Sequence, residues 1–172
     1  MKFLISKIIF FFLIVSISQA NENIKFININ YIIKNSDAGK VLNNLIEKKN
    51  KRFSNELNNI GKSLEDKKKK IISQKNILKK EEFEKLIKEY DIEVKNFNEK
   101  RKKKTNELSN FNANSKKKML DLLNPLIKDY LQKESIQILL QKEKIIFGDE
   151  KLDITKEILA TFNNKHKSIK FE

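Results

Sequence analysis

VLNNLIEKKNKRFSNELNNIGKSLEDKKKKIISQKNILKKEEFEKLIKEYDIEVKNFNEKRKKKTNELSNFNANSKKKMLDLL, Val41 to Leu123, runs for more than eighty residues with no proline and one glycine, Gly61. Lys, Glu and Asn dominate it, leaving only a narrow apolar stripe. The stripe reads Leu42, Ile46, Lys49, Phe53, Leu57, Ile60, Leu64, and later Tyr90, Val94, Phe97, Arg101, Lys104, Leu108, Phe111, Ser115, Met119, Leu122. Steps of four and three are the seam of a coiled coil, narrower than the apolar face of a globular helix.

Two long helices folded back on each other explain the stripe better than a single rod. In an antiparallel hairpin, facing residue numbers add to a constant. Here Leu42/Met119, Phe53/Leu108, Leu64/Phe97, Ile71/Tyr90 and Leu78/Phe83 all add to 161. Arms of about forty residues reach roughly 60 Å at 1.5 Å per residue. The constant predicts a tip at Lys79 to Glu82; because no Gly, Pro or Asn marks that place, a turn at Ser73 to Asn76 is the alternative.

Working outward to the first residues, Lys2 and Lys7 precede an almost wholly apolar run, Ile8 to Ile17, and Ser18-Gln19-Ala20 places small residues where a signal peptidase reads. Residues 1–20 are therefore expected to be a cleaved secretory signal, since a membrane anchor needs about twenty apolar residues. Cleavage leaves 152 residues and takes away two lysines, so the net charge of +14 becomes +12. With no cysteine, neither disulfides nor thiolate chemistry are available.

The remaining apolar residues cluster at the two ends. Ile24 to Ile33, including Ile27 and Ile29, is rich in β-branched and aromatic residues and reads as a strand. Ser36-Asp37-Ala38-Gly39-Lys40 then supplies capping side chains. Beyond the stripe, Asn124-Pro125 either opens a new segment, Leu126 to Gln132, or kinks the returning helix. Ile136 to Leu140, including Ile138, and Lys144 to Phe147 read as a hairpin or two short strands, closed by Gly148-Asp149. Asp153-Ile154-Thr155 precedes a short helix through Ile158, Leu159 and Phe162, with Thr155 as its cap and Ile154 packing on Leu159. Everything after Asn164 reads as a polar tail. The organisation expected is a small β-rich oligomerisation head, residues 21–40 and 124–172, and a helical hairpin arm, residues 41–123. A head of some sixty residues buries only about 60% of its chain surface, so it is expected to be completed by self-association through strand edges.

Enzymatic signatures are missing. His166 is the only histidine and falls in the tail, and the three glycines cannot build a phosphate-cradling loop. Carboxylate pairs such as Glu81/Glu82 lie among lysines on a solvated helix, a poor setting for general acid–base work. No cofactor is expected. The lysines are the concentrated chemistry: Lys62 to Lys80 holds eight against Glu65 and Asp66, a net of +6. Lys67, Lys68, Lys69, Lys70, Lys75, Lys79 and Lys80 crowd the outer end of the arm, where positive potential steers anionic partners. For any single lysine a solvated helix surface is the better reading. Nucleic acid is disfavoured by the secretory signal and by the lack of a groove-reading motif. An anionic membrane surface and an unfolded anionic polypeptide both fit the composition.

The order of elements, with Ser36-Asp37-Ala38-Gly39-Lys40, the runs within Ile136 to Phe147, and Asp153-Ile154-Thr155 followed by Ile158-Leu159, resembles the Skp/OmpH family of periplasmic chaperones of Gram-negative bacteria. The resemblance spans the whole mature chain, though the arms match many coiled coils. It implies a jellyfish-like homotrimer whose arms enclose unfolded outer-membrane β-barrel proteins after they cross the inner membrane, without nucleotide or metal. It assigns no client site to single residues.

Overall fold

The computed structural model describes residues 23–171, so the expected signal segment lies outside the described residues. The elements are β1 (Ile24–Ile27), α1 (Ile29–Asn35), α2 (Asp37–Ser73), α3 (Lys80–Lys133), β2 (Ile138–Gln141) and α4 (Thr155–Lys165). Helices α2 and α3 form the arm, antiparallel as the stripe predicts. At 1.5 Å per residue they measure about 55 Å and about 80 Å, and the excess of α3 carries it past the arm root into the head.

Contacts between the arms follow the expected pairing. Lys67 binds Glu93 at 2.7 Å, and Lys100 and Lys104 reach Glu56 at 2.6 and 3.9 Å. Lys49 and Lys104 stand over the rings of Phe111 and Phe53 at 4.6 and 4.5 Å. The seam is thin along its length. Leu42, Leu64, Ile71, Phe111, Ser115 and Met119 are buried, whereas Phe53, Tyr90, Val94, Phe97 and Leu108 are half-buried and Arg101 is exposed. Long lysine stems cover part of what an aliphatic partner would otherwise cover.

The tip is not at Lys79 to Glu82. Helix α2 ends at Ser73, where the alternative put the turn, and the connection runs from Gln74 to Lys79; Lys80 to Glu82 form the first turn of α3. Extrapolating the pairing constant assumed that both helices persist to the turn, and α2 does not. The missing turn residues are explained too. Gln74, Lys75, Ile77 and Leu78 each donate to a carbonyl three or four residues back, and no loop residue takes positive φ, so neither Gly nor Pro is required.

The head departs from the strand readings. Only Ile24–Ile27 is extended; Ile29–Asn35 is helical because Ile29, Ile32 and Ile33 share one helical face and Asn28 caps it, its side chain accepting from the Tyr31 N–H at 2.7 Å. Burial of that face overrides β propensity. β1 pairs with β2 in parallel, Ile24 opposite Ile138 through Ile27 opposite Gln141, with the whole arm as the crossover. On its other side β1 meets Asp153, and the Ile154 N–H donates to the Phe26 carbonyl at 3.0 Å. The expected second strand, Lys144 to Phe147, does not form. A single 3₁₀ turn occupies Lys142–Lys144 and the following residues take no regular structure.

Pro125 opens no new segment, because α3 runs through it to Lys133. Leu123, Leu126 and Ile127 around it are buried, and this anchoring offsets the lost backbone hydrogen bond. Past Lys133 the chain reverses at Ser135, whose φ is 52°, while the Ile136 N–H donates to the Leu131 carbonyl at 2.9 Å. This is a Schellman stop with serine at the position glycine usually takes. The core joins Ile27, Ile32 and Leu42 to Met119, Leu123, Ile127, Ile154, Ile158 and Phe162, so both chain ends and the arm root share it.

Candidate functional site

Three regions present chemistry: the outer arm, the outer face of the head, and the corner that fixes one to the other. The corner starts with Ser36, which is fully buried. Its Oγ accepts from the Gly39 N–H at 3.1 Å and so caps α2. Gly39 is required by packing, because a Cβ there would lie 1.8 Å from the Ile33 carbonyl oxygen. The Asp37 N–H donates to the Asn163 side chain at 3.0 Å, tying the start of the arm to α4.

Around Asp153 a second knot closes the head. Its carboxylate accepts from the Thr155 N–H at 2.9 Å, from the Thr155 hydroxyl and from the Lys142 ammonium. The Thr155 hydroxyl in turn accepts from the Asn28 N–H at 2.8 Å. Helix α4 begins at Thr155 itself; Ile154 takes the cap position without a side-chain bond, and the acceptor for the Thr155 N–H is Asp153, two residues before the expected cap. Burial pushes the Asp153 carboxyl up, but donation from Lys142 and Thr155 outweighs burial and holds it below the usual aspartate range. The same bond raises the Lys142 ammonium.

Of the seven distal lysines, Lys67 is tied to Glu93, Lys69 to Glu65 at 2.8 Å, and Lys80 stands 4.0 Å from Glu84. Lys68, Lys70, Lys75 and Lys79 are exposed and make no ion pair among the described residues. Among the described residues the tip thus carries unpaired positive charge both at the end of α2 and in the loop. Nearer the root, Ile60, Leu64, Phe97 and Lys100 line a cleft of about 240 Å³ between the arms, and Gly61 leaves the Phe97 ring room. Leu64 and Phe97, paired in the sequence reading, do meet around this cleft.

On the head, Ile27, Ile154 and Thr155 are buried and Ile29 is half-buried, but Ile138 and Leu140 are 45% and 42% exposed. Ile146 and Phe147 are 89% and 92% exposed. These four expose apolar surface on β2 and on the loop that follows it. The alternation of β2 signals the first two; the last two were read as a strand and are an unpaired loop. Among the described residues no three His, Cys, Asp or Glu side chains gather to hold a metal. No described helix is long and apolar enough to cross a membrane.

The family model "Outer membrane protein (OmpH-like)" matches residues 23–162, head and arm together. The chain belongs to the OmpH-like family. No curated protein matches it. In three dimensions the OmpH-like chain is similar to the crystal structure of an OmpH-like protein from Caulobacter crescentus CB15, to which an outer membrane chaperone role is ascribed. The TM-score is 0.79 at 16% identity, covering 89% of this chain and 90% of that one. At that identity the likeness is one of fold: a small head and a long two-helix arm. The family-model match ends at Phe162, so the tail lies beyond it. The tail is also where the sequence reading fails, because Ile169 and Phe171 are half-buried against the core.

Proposed function

We propose that this OmpH-like protein is a periplasmic, ATP-independent holdase chaperone that keeps unfolded outer-membrane β-barrel proteins from aggregating. Family membership across head and arm carries the reading. Exposed Ile138, Leu140, Ile146 and Phe147 support self-association through the head into a homotrimer, with the arms surrounding a shared space. An unfolded barrel segment exposes alternating apolar side chains and strand edges that aggregate on encounter. Enclosure between arms prevents the encounter without a specific fit, and a thin seam of half-buried Phe53, Phe97 and Leu108 offers many weak contacts. The basic tip speeds capture of acidic clients, with a range set by a Debye length of about 8 Å at physiological ionic strength. Release follows from the greater stability of the client in its membrane.

Chain 21–172 mixed with a urea-diluted β-barrel protein tests this. Light scattering is expected to stay low, and sedimentation to show one client on three copies of the chain. Unchanged aggregation, or suppression by a monomer, overturns the enclosed-cavity mechanism. A second reading, a coiled-coil protein that binds anionic membrane surfaces and holds no client, is favoured by the unpaired lysines at the tip. It predicts binding to anionic vesicles with no effect on client aggregation.

A further inference from the structure

The tail leaves α4 at His166 and runs without helix. Its side chains alternate. Lys167, Ser168 and Lys170 are exposed, whereas Ile169 and Phe171 turn inward onto the core at the arm root. That is the period of an extended strand. One polar contact helps hold it: the Lys118 ammonium donates to the Lys170 carbonyl at 2.9 Å.

The seat does not match the tail electrostatically. Lys170, preceded in the tail by Lys165 and Lys167, lies against Lys118, which belongs to a stretch of α3 that also carries Lys116 and Lys117. Asp121, the acid nearest in sequence, is already paired with Lys117 at 2.9 Å. Among the described residues, apolar contact and one exposed hydrogen bond therefore hold a segment with three lysines against a lysine-bearing stretch of α3. A segment with the same apolar spacing but acidic residues between would keep the first and reverse the sign of the second.

We propose that the seat of Ile169 and Phe171 is a docking strip for extended client segments with alternating apolar and acidic residues, and that the tail is its displaceable occupant. The proposal rests on the chaperone reading and adds to it a place and a chemistry. Segments that become barrel strands alternate apolar with polar residues, and those whose polar positions are acidic fit this strip. The tail then acts as a self-competitor: it shields the apolar strip from empty association and yields to a better-matched chain.

The test uses chain 21–172 and a fluorescent acidic peptide with Ile and Phe at alternate positions and Glu and Ser between. Ile169→Ser with Phe171→Ser is expected to leave the helical spectrum unchanged and to tighten peptide binding about tenfold, equivalent to about 1.4 kcal/mol. The chain has no cysteine, so Lys118→Cys with Lys170→Cys supplies the only thiol pair. A bismaleimide tether across it should abolish peptide binding that the untethered variant retains. Equal binding with and without the tether, or no gain in the serine variant, overturns the docking strip. Aggregation of an unfolded barrel protein is followed in parallel. If wild type fails there while the tether still blocks the peptide, the chaperone reading falls and the strip stands; suppression without any tail effect has the opposite meaning.

Discussion

Gly39 shows how a single atom sets the angle between arm and head. With a Cβ 1.8 Å from the Ile33 carbonyl oxygen, Gly39→Ala must push α2 away from α1 and uncover Ser36 and Leu42. Overpacking of this kind costs typically 1 to 3 kcal/mol, and because the clash is with backbone we expect about 3. Thermal melting of the mature protein measures it; a shift under 2 °C would mean that the corner yields freely. Asp153 carries a pH signature. A carboxyl depressed on folding contributes stability above its unfolded pKa, about 3.9, and loses it as pH falls through the lower folded value. Lys142, raised by the same bond, contributes below about 10.4 and loses that as pH rises through its folded value. The head should therefore melt at a constant temperature through neutral pH and weaken below about pH 4 and above about pH 10.5. Asp153→Asn keeps an acceptor for the Thr155 N–H but loses the ionic bond with Lys142, so it is expected to lower the melting temperature modestly at pH 7 and to flatten the acid limb. Circular-dichroism melts between pH 3 and 7 read both effects.

At the scale of elements, the arm is held by a thin seam reinforced by cations rather than by a deep core. Glu56 meets two lysines, and hydrogen bonding to Lys100, only partly opposed by burial, lowers its carboxyl pKa. Solvent screens such exposed pairs, so register is set by the buried positions Leu42, Leu64, Ile71 and Met119. Leu64→Cys with Phe97→Cys is expected to crosslink within one chain. A crosslink found only between Leu64→Cys positions of two chains would mean parallel rods in solution. The pairing was legible because steps of three and four persist over many turns. The loop ends were not, since an all-negative-φ connection leaves no residue signature.

For the whole molecule, exposed apolar surface occurs at both ends: Ile72 and Ile77 stand at the tip beside lysines that make no ion pair among the described residues, and Ile146 and Phe147 stand on the head. Replacing Lys67 to Lys70 together by Gln removes one pair across the arms and most of the local excess, so the fold should survive. Stopped-flow association with an unfolded barrel protein is expected to slow and to lose much of its salt dependence, while the mass of the assembly stays the same. An unchanged rate would make the lysines a solvated face and leave capture to the seam. Replacing Ile146 and Phe147 by Ser should instead lower the mass and leave the helical spectrum of the arm intact.

Sequence by itself determined the arm, its antiparallel pairing, the cap at Ser36 and the likeness to the OmpH-like family. These depend on neighbours three and four residues apart, or on a seam that repeats long enough to be counted. Tertiary structure decided what depends on a distant partner. Ile29 to Ile33 became helix because α4 and the core cover that face. Lys144 to Phe147 stayed irregular because β1 already pairs with β2 on one side and meets Asp153 on the other. Ile169 and Phe171 in a polar tail found burial because the arm root, more than forty residues earlier in the chain, presents an apolar seat. Two apolar residues among lysines carry too weak a local pattern to announce such a seat; only the folded surface supplies it.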